Sequence, residues 1–566
     1  MLNRAIEGAL KKAVATMLPD ANVAAVQVRP SSDPKFGDYQ SSAVMALAKE
    51  RKTNPRQLAN EIVGKLDLSE WCEKVEIAGA GFLNFRLKPS AVEQTLQTEQ
   101  QSSHPFVQSS GNPRTVVIDF SSPNVAKPMH VGHIRSTILG DSLARTLRLL
   151  RHKVITDNHI GDWGTQFGML IVGWKRHLNR AALQADPIAE MERLYKLVNA
   201  DPALVDEARL ELVKLQRGDP ENLGIWREMI VLSQAQFDTI YRRLGIRFDH
   251  TLGESFYNPE LQKIVDGLVK VGLAHESEGA IVISFPDDPQ LKEHAAMIRK
   301  SDGGFNYTTT DLATLEHRLK TWKPDEIIYV TDGRQQLHFR QLFAAFRRWH
   351  PNANVRLAHV WFGSILGEDG KPFKTRAGDT VKLADLLDEA EERALKVVTE
   401  KNAELPEAQR REIARVVGIG AVKYADLLPN RQTDYVFSWD KMLALNGNTA
   451  PYLQYAYTRI RSIFRKGEVS DARGAIKLTE ASELALAKHL LNFGIVLEAV
   501  AEEYRPNFLC NYLYELAGYF TSFYEACPIL KAEPAVRTSR LALADLTARV
   551  LKQGLDVLGI ETLEQM

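Results

Sequence analysis

Residues 116–156 constrain the fold more than any other stretch of the chain. Val116-Val117-Ile118-Asp119-Phe120 is an apolar run of buried-strand type, and Lys153-Val154-Ile155-Thr156 is a second, short β-prone run. Between them Ile134, Ile138, Leu143, Leu147 and Leu150 recur near a 3.6 period and predict an amphipathic helix. Strand, loop, helix and strand make one βαβ crossover. In such a unit the loop and the helix N-terminus lie at the carboxyl edge of the sheet, where backbone N–H groups and the helix dipole favour an anion. The loop here is Ser121-Ser122-Pro123-Asn124-Val125-Ala126-Lys127-Pro128-Met129-His130-Val131-Gly132-His133. His130 and His133, three apart, project to the same side of the first turn. Two imidazole donors, Lys127 and a helix N-terminus form a candidate phosphate site. The same spacing suits ordinary surface or core histidines, or a zinc pair, although no third ligand of the usual spacing lies nearby. Gly161-Asp162-Trp163-Gly164 does not sit between this strand and helix, so it is no dinucleotide fingerprint.

A chain of 566 residues should hold about three to four domains. Lysine plus arginine and aspartate plus glutamate each number 71, and a net charge of +0 argues against an indiscriminate polyanion binder. A nucleic-acid partner would need basic residues concentrated locally. Cys72, Cys510 and Cys527 are far apart and form no metal or redox motif, so buried free thiols are expected. No apolar run of 18 or more residues is evident, and Met1-Leu2-Asn3-Arg4 starts no signal peptide. A cytoplasmic protein with no membrane partner is therefore expected.

In chain order, residues 2–18 carry an amphipathic helical pattern, and Val23–Val28 reads as a strand. Asp33–Tyr39 reads as a turn-rich loop, followed by helices over roughly 41–51 and 55–66 and by strands Lys74–Ile77 and Phe82–Leu87. This is a small α+β domain. Residues 96–114, rich in Gln, Ser, Gly and Pro, read as a linker. Residues 174–245 are charged and helical in period. Later strands are expected at Glu326–Val330 and His359–Phe362, and beyond residue 385 the pattern is mainly helical.

The Ser121–His133 string resembles the HIGH signature of class I aminoacyl-tRNA synthetases, here His130-Val131-Gly132-His133, in the longer Ser-Pro-Asn-x-Ala-Lys form of arginyl-tRNA synthetases. The resemblance runs from about residue 33 to Leu558-Gly559-Ile560-Glu561-Thr562. It includes the Phe-Gly-Asp-Tyr-Gln and Ala-Gly-Phe-Leu-Asn-Phe pieces near the N-terminus, and Asn448–Ala456 near the helical end. It implies a multidomain α/β protein with a doubly wound, Rossmann-like core. Residues 1–110 would be a tRNA-corner (D-loop) domain with its linker. Residues 111–445 would be the core with an insertion at about 174–245, and 446–566 an all-α anticodon-binding domain. The implied reaction is activation of L-arginine by ATP, with loss of pyrophosphate, then transfer to the 3′-terminal adenosine of tRNA(Arg). A monomer and tRNA-dependent activation are implied as well.

Residue by residue, the resemblance assigns ATP handling to Lys127, His130, Gly132 and His133. The second class I signature, KMSKS, falls on Pro372 to Arg376, so two of its lysines are replaced, by Pro372 and Thr375. Lys374 and Arg376 remain as loop cations, and Lys127 would supply the missing charge. Arginine contacts fall on Asp119, Ser122, Asn124, His133, Glu254, Tyr307, Asp311 and Gln335. By chemistry, Glu254 and Asp311 would take the guanidinium, because carboxylates pair with that planar cation in bidentate fashion. Asn124 and Gln335 would hold the α-amino end. Transfer-RNA contacts fall on Tyr39, Tyr452, Tyr455, Arg459 and Arg461, with Arg465 beside them, a mixture of rings and guanidinium groups suited to unstacked bases and phosphates. Magnesium is expected only as the counter-ion of ATP, with no protein-bound zinc. A site built on buried polar contacts can reject analogues without a second sieve, and no editing domain is recognisable. Two other readings stay open at this point: a small-molecule adenylyltransferase using a His-x-Gly-His site, and a non-catalytic tRNA-binding scaffold.

Overall fold

The computed structural model describes residues 2–373, 380–470 and 472–566. Its N-terminal part packs helices Leu2–Met17, Ala43–Glu50 and Pro55–Val63 on a four-stranded antiparallel sheet. The hairpin Cys72–Ala78 and Phe82–Leu87 lies where alternation placed it. Val23–Val28 is not a strand. Asn22 accepts a hydrogen bond from the Ala24 amide and starts a short 3₁₀ turn, and the Val28 amide donates to Glu7 Oε2 (2.9 Å) instead of to a neighbouring strand. The expected linker is shorter than its composition suggested. Helix Pro89–Glu99 buries Leu96, and Gln100 accepts from Arg549 at its carbonyl (3.0 Å), docking this stretch on the C-terminal helices.

The core is a four-stranded parallel sheet. In chain order its elements are β1 (Thr115–Asp119), α1 (Val131–Leu149), β2 (Lys153–Asp157), α2 (Pro220–Arg243), α3 (Glu254–Lys270), α4 (Tyr307–Trp322), β3 (Glu326–Tyr329), α5 (Gln336–Trp349) and β4 (Arg356–His359). The spatial order is β4-β3-β1-β2, all parallel. From β1 the chain winds outward to β2, and from β3 outward the other way to β4. The two windings part between β1 and β3, and ligands of such sheets bind at the carboxyl ends there. Val116, Val117, Ile118, Ile327 and Ile328 are wholly buried, as an all-parallel sheet covered on both faces requires.

α1 differs from a one-sided amphipathic helix. Ile134, Ile138, Leu143 and Leu147 face the core, yet Ser136, Thr137, Ala144 and Thr146 are buried too. Helices Glu407–Leu427, Phe493–Glu503 and Pro534–Val557 cover its second face. The strand expected at His359–Phe362 ends at His359. Val360 still donates to the Tyr329 carbonyl (2.8 Å), and Phe362 then turns to meet Asp332.

Five helices, from Gln166–His177 to α2, form the insertion, and a small antiparallel sheet (His275–Ser277, Ala280–Ile283, Ala296–Arg299) lies between α3 and α4. The C-terminal part is helical and includes α6 (Ala450–Lys466) and α7 (Asn507–Ala526). One stretch, Ala481–Glu503, has the length and composition to cross a membrane. It is broken into two helices whose Leu486, Leu490, Leu497 and Val500 are buried in the bundle. All three cysteines are buried free thiols.

Candidate active site

After β1 the backbone turns sharply, with φ of +73° at Ser121, +48° at Ser122 and +61° at Ala126. Residues with side chains adopt these angles only when the surroundings impose them. The bracing is dense. The Ser121 amide donates to Ser136 Oγ (2.8 Å), the Ser122 amide to Asn158 Oδ1 (3.0 Å) and the Ala126 amide to Ser233 Oγ of α2 (3.0 Å). Asn124 bridges Gly161, so the Gly-rich segment that is no nucleotide fingerprint serves as the outer wall of this loop.

His130 caps α1. Its Nδ1 accepts from the Gly132 amide (3.0 Å), while its own amide donates to Nδ1 of His133 (3.1 Å). Both Nδ1 atoms are therefore acceptors, which places the ring proton on Nε2 in each imidazole. The rings lie 4.0 Å apart, centroid to centroid. Burial, then the neighbouring His130, lowers His133 to about 3; burial, then Arg334, lowers His130. Two neutral Nε2–H donors thus stand at a helix N-terminus. A Cβ at Gly132 would lie 2.8 Å from the His130 ring, so a larger residue there must displace that ring. Lys127 is exposed, with Nζ 5.6 Å from the Tyr195 ring of the insertion.

Across the switch point, Asp332 starts the 3₁₀ turn Gly333–Gln335, accepting from the Arg334 amide and pairing with its guanidinium (2.8 Å). This turn carries Gln335, exposed, next to Arg334, whose charge reaches His130. Tyr307 and Asp311 occupy the first turns of α4, four apart and so on one face, and Tyr307 is 70% exposed. Glu254 begins α3. Its position is set by Asp162, which accepts from both the Ser255 amide (2.7 Å) and Ser255 Oγ (2.6 Å). A Cβ at Gly253 would strike that carboxylate at 2.2 Å. Burial foremost, then the charges of Asp311 and Asp162, pushes the Glu254 carboxyl up to about 8. Glu254, Asp311 and Asp162 form a cluster of three acids near the carboxyl edge of the sheet, where the α1 N-terminus presents two imidazoles. That polarity suits a ligand with a cationic side chain whose carboxyl end reacts with a phosphate.

Asp119 sits beneath this surface. Its Oδ2 takes Arg318 (2.6 Å) and its Oδ1 takes the Ser122 hydroxyl (3.1 Å), so both oxygens bond within the protein. Arg318, Asp157, Asp162 and His338 escaped sequence reasoning. Only the acid ending each strand hinted at a buried cation between β1 and β2. Lys374 and Arg376 lie outside the described residues. The flanks of their segment are fixed: Phe373 stacks on Phe437 (4.5 Å), and the Val381 carbonyl accepts from the Val131 amide (2.9 Å).

The expected RNA-facing residues divide. Tyr39 is a correction: it is 1% exposed in the N-terminal core, because its strand turns that side of the sheet inward, and its ring cannot meet RNA. On α6, Tyr452, Tyr455 and Arg459 follow helical spacing along one face. Tyr455 is 50% exposed, Tyr452 packs on Tyr514 of α7 (5.6 Å), and Arg459 lies over Tyr524 (4.7 Å). Arg461 departs from expectation. It is tied to Glu564 (3.0 Å) on another face, where Arg465 also donates to the Glu564 carbonyl.

A parallel sheet split at its switch point, a His-x-Gly-His helix start and a separate helical C-terminal part define a class I aminoacyl-tRNA synthetase. Residues 92–439 match the family model described as tRNA synthetases class I (R), catalytic domain; residues 1–87 match the arginyl tRNA synthetase N terminal domain, and 453–566 the DALR anticodon binding domain. The chain belongs to the arginyl-tRNA synthetase family. It is 48% identical to the arginine–tRNA ligase of Laribacter hongkongensis, over 98% of this chain and 97% of that one, and 49% identical to that of Escherichia coli O8, over 95% and 96%. Among solved structures, the Thermus thermophilus arginyl-tRNA synthetase superposes with a TM-score of 0.86 at 28% identity, covering all of both chains. The Plasmodium falciparum enzyme gives 0.84 at 29%, covering 100% and 99%.

Proposed function

We propose that this arginine–tRNA ligase activates L-arginine with ATP and passes it to the 3′-terminal adenosine of tRNA(Arg). The observation that carries the reading is the placement, near one sheet edge, of the Glu254–Asp311 carboxylates and the neutral His130–His133 pair. In the first step an arginine carboxylate oxygen attacks the α-phosphorus, a new P–O bond forms, and the bond to the bridging oxygen breaks to release pyrophosphate. The need is charge stabilisation, not a protein nucleophile. His130 and His133 donate from Nε2 to phosphate oxygens, with Gly132 giving the room. Lys127, Lys374 and Arg376 supply positive charge to the leaving group. Glu254 and Asp311 take the guanidinium, Tyr307 closes over it, and Ser122, Asn124, His133 and Gln335 hold the α-amino and carboxylate end. Asp119 contributes through Ser122, which it orients. Among the described residues at this mouth, the imidazoles, Lys127 and Arg334 are neutral or cationic. They suit a nucleotide bringing its own magnesium, not a protein cage for the metal.

The same reading assigns residues 1–110 to the tRNA corner, 111–445 to catalysis, with the insertion at about 174–245, and 446–566 to the anticodon. There Tyr452, Tyr455 and Arg459 offer the stacking face. Activation that waits for tRNA belongs to the same reading and fits a second signature left incomplete by Pro372 and Thr375. A monomer in the cytoplasm completes the proposal. Charging assays with each amino acid in turn test it: arginine alone should be esterified to tRNA, and charging with another amino acid instead would overturn it.

A further inference from the structure

Asp311 is held by a neighbour that no signature includes. His338, in the first turn of α5, brings Nε2 to 2.6 Å from Asp311 Oδ2. The ring stands edge-on to Phe339 (5.4 Å), and Phe339 in turn stacks on His359 (4.3 Å), whose Nε2 meets Thr331 Oγ1 (2.8 Å). An aromatic stack joined to β4 thus fixes the direction from which His338 reaches the acid.

We propose that His338 is a positioning residue for side-chain recognition: it clamps Oδ2 of Asp311, leaves Oδ1 to the guanidinium shared with Glu254, and serves as counter-ion to Asp311 until a cationic side chain arrives. The inference rests on reading Asp311 and Glu254 as the guanidinium ligands. Its electrostatics follow from the surroundings. Burial works to lower the pKa of His338, but the hydrogen bond and charge of Asp311 outweigh it and raise the imidazole above its ordinary value. The other titratable or charged groups on elements packed against α5 are Glu316, His317, Arg318 and Lys320 of α4, Arg356 and His359 of β4, Arg299, and the Asp332–Arg334 pair; Glu316 pairs with His350 and Lys320, and Arg318 with Asp119 and Asp157. Burial, with Arg431 and His338 itself, lowers His359 to about 4, so it stays neutral. A guanidinium entering beside Asp311 repels the imidazolium and favours ionised Glu254, so arginine binding releases protons.

The test uses the full-length enzyme with tRNA in steady-state aminoacylation. His338→Leu should raise the KM for arginine about tenfold, the order expected for one charge-assisted hydrogen bond, with kcat and the KM for ATP within about twofold. His338→Gln, which restores a donor at the Nε2 position, should recover most of that loss. An unchanged arginine KM in His338→Leu, or equal shifts in all three constants without rescue by glutamine, overturns the proposal. Asp311→Asn separates it from the pocket reading: if that change leaves the arginine KM unaltered, the pocket assignment itself fails. Calorimetry of arginine binding in buffers of different ionisation enthalpy should show fewer protons released by His338→Gln than by the unaltered enzyme. Equal release removes the counter-ion role.

Discussion

Asp119 and Asp157, the last residues of two neighbouring strands, share one guanidinium: Arg318 Nη2 lies 2.6 Å from Asp119 Oδ2 and 2.8 Å from Asp157 Oδ2. All three side chains are buried, and Arg318 also lies 5.3 Å from the Tyr329 ring centroid. The cluster joins α4, which carries Tyr307 and Asp311, to the strand that feeds the phosphate loop. Removing the cation leaves two acids buried together. Arg318→Met should therefore destabilise the core by roughly 3–5 kcal/mol. A thermal melt of the two proteins checks this, and an unshifted core transition would contradict it.

Glu254 makes arginine affinity depend on pH. Its carboxyl is pushed up to about 8, chiefly by burial, so the unliganded enzyme at pH 7 holds it mostly protonated. A bound guanidinium favours the carboxylate, and binding then expels the proton. Affinity should rise with pH toward 8 and level off above it, by at most about tenfold per pH unit from this group. The same shift has the opposite effect on the unliganded fold. Between the ordinary value of 4.5 and about 8 the folded state keeps a proton the unfolded chain has lost, so stability falls as pH rises. Binding measured from pH 6 to 9 provides the check; Glu254→Gln should flatten most of the slope.

Lys127, exposed beside the Tyr195 ring, is proposed to supply the charge that the second signature lacks at Pro372 and Thr375. Lys127→Ala should slow adenylate formation by about ten- to a hundredfold while the KM for arginine stays put, since the lost contact is to the leaving group. Single-turnover adenylation measures this directly, and an unchanged rate would remove Lys127 from the reaction.

Tyr455 is exposed on a face with Tyr452 and Arg459, so its ring is available to a base. Base–aromatic stacking is worth about 1–3 kcal/mol. Tyr455→Ala should raise the KM for tRNA about tenfold or more and leave the constants for arginine and ATP unchanged. Equal tRNA affinity in the two proteins would assign the ring to the surface only.

Periodicity and local chemistry made much of this legible. The βαβ unit and the N-terminal hairpin each follow from residues adjacent in sequence. What failed involved distant partners. Tyr39 looked like a loop tyrosine because the burial of its strand is decided by residues 42 to 46 positions away, Leu83 and Phe85 among them. Arg461 looked available because its partner, Glu564, comes from the far end of the chain. Arg318, Asp162 and His338 were invisible for the same reason: each acts by meeting a group that only the tertiary fold supplies. Gly161-Asp162-Trp163-Gly164 could be excluded as a nucleotide loop, but not recognised as the cap that sets Glu254.

Arginine-dependent ATP–pyrophosphate exchange, run with and without tRNA(Arg), tests the central claim most directly. Exchange that appears when tRNA is added is the predicted result. Exchange without tRNA would retain the ligase and remove the dependence on tRNA. No exchange in either case, by a folded protein that still binds tRNA, would contradict the account.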